Sequence, residues 1–171
     1  MSRASEWVGA YARQADADLR AWELYEKHPG AVAAECHKLL FLQMACEKLC
    51  KAYLIQAGMS PDILRRSHGV VAKHLPGVIR QQIVVMKPNR RGLMGVLAQV
   101  RHMANEIEIL NPAVRRDEQR PDNCEYPWES GEEDARIISP LDWSFHPARL
   151  VTAPAGRTFL KLLRGAIDRI L

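Results

Sequence analysis

The sequence is poor in several things at once. Aromatic residues occupy 6% of its 171 positions, with three Phe among them, which is thin for an all-β sandwich whose strands favour Tyr, Phe and Trp. Its four cysteines, Cys36, Cys46, Cys50 and Cys124, lack the second Cys or His pair of a structural zinc site. No apolar run approaches the ~18 residues of a membrane span. The stretch Met1-Ser2-Arg3-Ala4-Ser5-Glu6-Trp7 has no apolar core of a signal peptide. Glycine-rich phosphate loops, nucleophile elbows and zinc-helix motifs are missing too. These absences lead to the expectation of a cytoplasmic, reduced protein with no cofactor, no metal and no membrane, its thiols free and buried.

What is present is a chain 47% hydrophobic and 26% charged, enough to bury roughly two-thirds of its unfolded surface around a single core. Its net charge of +4 is unevenly placed. Residues 1–110 hold 15 Lys and Arg against 10 Asp and Glu, residues 111–153 hold 5 against 9, and residues 154–171 hold 4 against 1. A basic body with an acidic segment suits an anionic partner, although a solvated surface of mixed charge accounts for the same count.

Apolar spacing predicts helices over about Ser5–Lys27, Ala31–Ala57, Arg91–Leu110 and Pro154–Leu171. The first has a stripe through Trp7, Tyr11, Ala15, Asp18, Leu19, Trp22 and Tyr25, with Asp16, Asp18 and Arg20 on its wetter side or border, and His28-Pro29-Gly30 stops it. The second is apolar over so much of its girth that it reads as the centre of a bundle, stopped by Gly58 before a turn at Ser60-Pro61-Asp62. Between 61 and 88 the pattern predicts a short helix capped by Ser67 and ended by Pro76-Gly77, then a second short helix or apolar plug. Residues 111–153, with five prolines, show no helical period and predict a long ordered arm with a short strand near Arg136–Ser139.

Four polar residues lie off the apolar seam of the third long helix: Arg101, His102, Asn105 and Glu106. The pairs His102–Glu106 and Arg101–Asn105 share i,i+4 spacing, so they are candidates to line a ligand or RNA groove, the alternative being a solvated helix face or a dimer hydrogen-bond network. Glu47 and Lys51 interrupt the central helix in the favourable acid-first order. Arg65, Arg66, Lys73, Arg80, Lys87, Arg90 and Arg91 concentrate basic charge in the middle segment without interleaved aromatics, which suits phosphate contact rather than base stacking. Tyr126 and Trp128 in the arm are candidates to anchor a partner protein or to pin the arm onto its own bundle.

Three stretches then carry a resemblance: Asp16 to Leu24, Ala34 to Leu54, and Ser67-His68-Gly69. Within the second stands Ala45-Cys46-Glu47-Lys48-Leu49-Cys50-Lys51-Ala52. Over residues 5–110 the chain resembles the HEPN family of nucleotide-binding helical bundles, with its Asp-Leu-x-x-Ala-like first helix, its Ala-x-Glu-Lys-x-x-Lys-Ala second helix and the Ser/Thr-His that follows. The resemblance implies an all-α, up-down antiparallel bundle that forms a homodimer. It also implies roles in RNA cleavage, nucleotide binding, or toxin–antitoxin and defence systems, and it makes His68 or His37 the expected polar partner of Glu47. The sequence departs from the ribonuclease pattern of that family, because no Arg precedes a His at the four-to-six-residue spacing.

The resulting expectation is a single domain over 1–171, with a bundle of residues 5–110 and 154–171 and an irregular arm of 111–153. Its expected activity is binding of nucleotide, RNA or a partner protein without nuclease chemistry of its own. The alternatives are a metal-independent ribonuclease toxin using Arg101 and His102, or a purely structural interaction module working through the arm.

Overall fold

Helix α1 (Arg3–Lys27) forms along the expected stripe and buries Ala12, Ala15, Leu19 and Trp22. Asp18, read both within the stripe and at its wetter border, is buried with them and receives a hydrogen bond from Lys48 of the next helix. A carboxylate can be buried in this way because a cation accompanies it. The computed structural model describes residues 3–28, 34–86, 93–114, 122–130 and 136–171. The expectations that fall on 29–33, 87–92, 115–121 and 131–135 lie outside these.

Helix α2 (Glu35–Gln56) is the central element. Its buried positions, Leu39, Leu42, Ala45, Cys46, Leu49, Cys50 and Ala52 among them, face more than one direction, so neighbours cover most of its circumference. Gly58 ends it at φ 97°. The Gly58 N–H donates to the Ile55 carbonyl and the Met59 N–H to that of Leu54, both at 2.9 Å, the paired closure that a left-handed glycine permits. Pro61 then opens the one-turn helix α3 (Pro61–Arg65) instead of a simple turn, as suits a residue with no N–H to lose in a first turn.

Helix α4 (Val71–Met86) corrects the expected break at Pro76-Gly77, because one helix runs through both residues. An interior proline costs about 3 kcal/mol. Val71, Leu75, Val78, Ile79 and Ile83 all become buried along one face of the continuous helix, and each such burial contributes roughly 1.5–3 kcal/mol. Packing therefore outweighs the lost hydrogen bond. Ser67 is not the cap of this helix. Glu108 Oε1 at the end of α5 (Leu93–Glu108) accepts the Ala72 N–H at 3.0 Å and satisfies one of the open donors of the first turn.

The segment after α5 is only partly irregular. Trp128–Glu129 (β1) pairs antiparallel with Ile137–Ile138 (β2) in the register Trp128↔Ile138, so the short strand falls where it was expected. A 3-10 turn, Pro140–Asp142, follows. Helix α6 (His146–Thr152) then corrects the expectation of no helix before residue 154. Seven residues are too few to display a period, but Pro147 in the first turn and the buried Phe145 before it set its start. Helix α7 (Pro154–Ile170) buries Phe159, Leu162, Leu163, Ala166 and Ile167, as its stripe predicts.

The described residues thus form an all-α helical bundle with one minimal sheet. Its main core joins α1, α2, α4, α5 and α7, and the α1–α2 pairing is the most extensive. A second cluster, Cys36, Leu39, Leu110, Cys124, Trp128 and Phe145, fastens the arm to the start of α2. No helix among the described residues is long and apolar enough to cross a membrane.

Candidate phosphate groove and the polar clusters around it

Because α4 is continuous, Lys73, Gly77 and Arg80 recur at helical spacing and share one face. Across from them α5 presents Leu97, Arg101 and Asn105 at four-residue intervals. With Ala72 and Pro76 these residues line a groove of about 570 Å³ between the two helices. Among the described lining residues none is acidic, and three are cationic. Lys73, Arg80, Arg101 and Asn105 are all exposed, so their hydrogen-bond donors are accessible to a ligand. Behind the groove, burial together with Lys73 lowers the pKa of His74, against the opposing charge of Glu108, which keeps His74 neutral at neutral pH.

The four α5 candidates divide into two rows. Arg101 and Asn105 line the groove, whereas His102 and Glu106, each one residue on, are turned by the ~100° that separates helical neighbours. They meet α6. Glu106 Oε2 lies 3.0 Å from His146 Nδ1, and the His102 and His146 rings stand 5.8 Å apart. An ionised carboxylate only accepts hydrogen bonds, so opposite an ionised Glu106 the donor of this contact is His146 Nδ1. Arg101 and His102 therefore do not converge within one protomer.

The Glu47 network is a separate, buried feature. Glu47 Oε1 accepts from Lys51 Nζ at 2.6 Å, and its Oε2 accepts from Gln43 Nε2 at 2.9 Å and Asn111 Nδ2 at 3.1 Å. His68 Nδ1 lies 3.6 Å from Oε1, at the solvent edge. His37 does not take part. It is exposed and stands ten residues, about 15 Å, along α2 from Glu47, so it is not the polar partner of Glu47 that the resemblance led one to expect. Tyr11 sits above this network, where burial pushes its hydroxyl pKa up, Arg65 lowers it and Glu47 raises it again. The donors tie α2 to the α5–arm junction through Asn111, so the network reads as architecture rather than as an open site.

Elsewhere, Arg164 of α7 binds Asp16 and Glu23 of α1. Burial alone would raise the Asp16 carboxyl, but hydrogen bonds and charge from Arg20 and Arg164 outweigh it and hold the group below its ordinary value. The Cys46 and Cys50 thiols are pushed far up by burial. In the arm Trp128 is turned inward against Phe145 and Trp143, while Tyr126 remains 60% exposed. Among the described residues no cluster of His, Cys, Asp or Glu suits a metal ion.

The groove contains two of the four α5 candidates and two basic residues, Lys73 and Arg80, that the sequence marked only as part of a diffuse basic segment. Their i,i+7 spacing was the available signal, and it was hidden by reading Pro76-Gly77 as a stop. His146 had no such signal, since it lies in a segment without period. Compared with models of known protein families, with curated proteins and with solved structures, the chain matches none.

Proposed function

We propose that this chain is a HEPN-like helical bundle that binds RNA or nucleotide through phosphate contacts in the α4–α5 groove, without nuclease chemistry of its own. The observation that carries the reading is the groove lining, in which Lys73, Arg80 and Arg101 converge with no carboxylate among them. Asn105 adds a neutral donor, and the floor of Leu97, Pro76 and Gly77 is apolar. Among the described residues no aromatic side chain lines the groove, so backbone phosphates rather than stacked bases supply the affinity. The separation of Arg101 from His102 by a quarter-turn argues against a concerted Arg/His pair within one subunit. A homodimer, a partner protein on the arm, and a place in a toxin–antitoxin or defence system belong to the same proposal through the family resemblance.

The test is binding of a fluorescein-labelled single-stranded RNA, followed by anisotropy over a salt series. Affinity is expected to fall with salt, and Arg80→Ala or Arg101→Ala should each reduce the log–log slope by roughly 0.7. Absence of binding at low ionic strength would overturn the reading. Cleavage of the RNA, with or without divalent metal, would restore the ribonuclease alternative.

A further inference from the structure

We infer that His102 and His146 form a second phosphate subsite beside the groove, so that a single-stranded RNA is held at two points along its backbone when both rings are protonated. This inference rests on the groove reading above. The α5 surface carries the two sites on adjacent rows: Arg101 and Asn105 towards α4, His102 towards α6. A backbone leaving the groove over α5 meets the histidine pair next. His102 is exposed and the His146 side chain is 51% exposed, while Glu106 beneath them is only 13% exposed. The carboxylate thus holds the His146 ring from the protein side, while both histidines are exposed.

The electrostatics make this subsite respond to protons. Imidazole is the side chain whose ordinary charge change falls between pH 5 and 8. Two imidazolium rings 5.8 Å apart repel each other, and Glu106 neutralises one of them. A phosphate placed between the rings replaces that repulsion with charge-assisted hydrogen bonds. Proton uptake and RNA binding are therefore linked, each favouring the other. Among the described residues, the charged groups on the neighbouring elements include Arg101 on α5, Arg149 on α6, which donates to Ser144, Arg157 of α7, which donates to the last carbonyl of α6, and Glu35 of α2, which accepts the Phe145 N–H. Across the groove stand Lys73 and Arg80. His74 stands behind Lys73 and is the histidine to control for.

The experiment uses the full chain and labelled oligouridylate, whose bases do not titrate in the window, with binding measured at about pH 8 and about pH 6 across a salt series. Binding is expected to tighten by about tenfold at the lower pH, the scale of two exposed ion pairs. The salt slope should steepen by roughly 0.7 for each phosphate gained. The double variant His102→Gln/His146→Gln should lose the response to pH, while His74→Gln retains it. Proton NMR titration of the two rings should show their pKa values rising when RNA is added, a readout independent of the variants. Binding that is equal at both pH values, or a double variant that keeps the response, would overturn the subsite and leave the groove standing. No binding at either pH, even at low salt, would overturn the groove and the subsite together.

Discussion

Replacing Glu47 with leucine should destabilise the bundle more than replacing Glu47 and Lys51 together. Glu47 is 8% exposed and Lys51 5%, and the carboxylate accepts hydrogen bonds from Lys51, Gln43 and Asn111. Removing it strands an ammonium in the core, and breaking a buried pair from one side costs about 3–5 kcal/mol. The amides of Gln43 and Asn111 lose their acceptor in either variant, at about 1–3 kcal/mol each. The double variant Glu47→Leu/Lys51→Met retains that penalty but removes the stranded charge, so it should recover at least about 1 kcal/mol relative to the single one. Since the total stability of a domain is about 5–15 kcal/mol, the single change should move the urea midpoint conspicuously. The assay is urea unfolding followed by helical circular dichroism, with equal slopes required before midpoints are compared. A single variant within about 0.5 kcal/mol of the parent, or a double variant no more stable than the single one, would refute the buried-pair reasoning.

Gly156→Ala should lower the melting temperature, because the added Cβ would lie 2.2 Å from the Leu150 carbonyl oxygen and 2.5 Å from Val151 Cα. These are backbone atoms that cannot swing aside, so a cost of about 1–3 kcal/mol is expected, and an unchanged melting curve would contradict it. Asp16→Asn should destabilise the protein at neutral pH. A depressed folded-state pKa contributes stability that is present above the unfolded value and lost as pH falls through the folded one. The gap between variant and parent should therefore close under acid, and a gap that is constant with pH would count against the Arg20 and Arg164 contacts. Cys46 and Cys50 should resist a thiol-labelling disulfide reagent in the native state, since burial holds both thiols protonated. Mass spectrometry should find them modified only as denaturant opens the bundle.

Long elements with a clear stripe were legible in the sequence. The second helix shows in the spacing of Leu39, Cys46, Leu49 and Cys50, and the structure buries all four, because hydrophobic periodicity over more than five turns has no competing explanation. Two kinds of feature were not legible. Pro76 obeys a local rule that tertiary packing overrides, and the misreading also concealed that Lys73 and Arg80 share a face. Helix α6 is short enough that its existence depends on Phe145 docking into the second cluster, a contact no local window contains. The polar pairs behaved likewise. Glu47–Lys51, read from i,i+4 spacing, is present, but Glu106 reaches a histidine 40 residues away in sequence, which spacing on one helix does not reveal.

The clasp of α7 on α1 has a consequence for how the bundle assembles. Arg164 and Asp16 are 148 residues apart, so their ion pair forms only after the intervening chain has been gathered in. The α1–α2 hairpin is a local structure and can form early, whereas its acidic edge at Asp16 and Glu23 stays uncovered until α7 arrives. Contacts of such long range slow folding, even in a protein made of helices. On a ribosome, the hairpin would wait with that edge open until the last helix had emerged, which makes the closing of the α1–α7 clasp a late event in the folding of the chain.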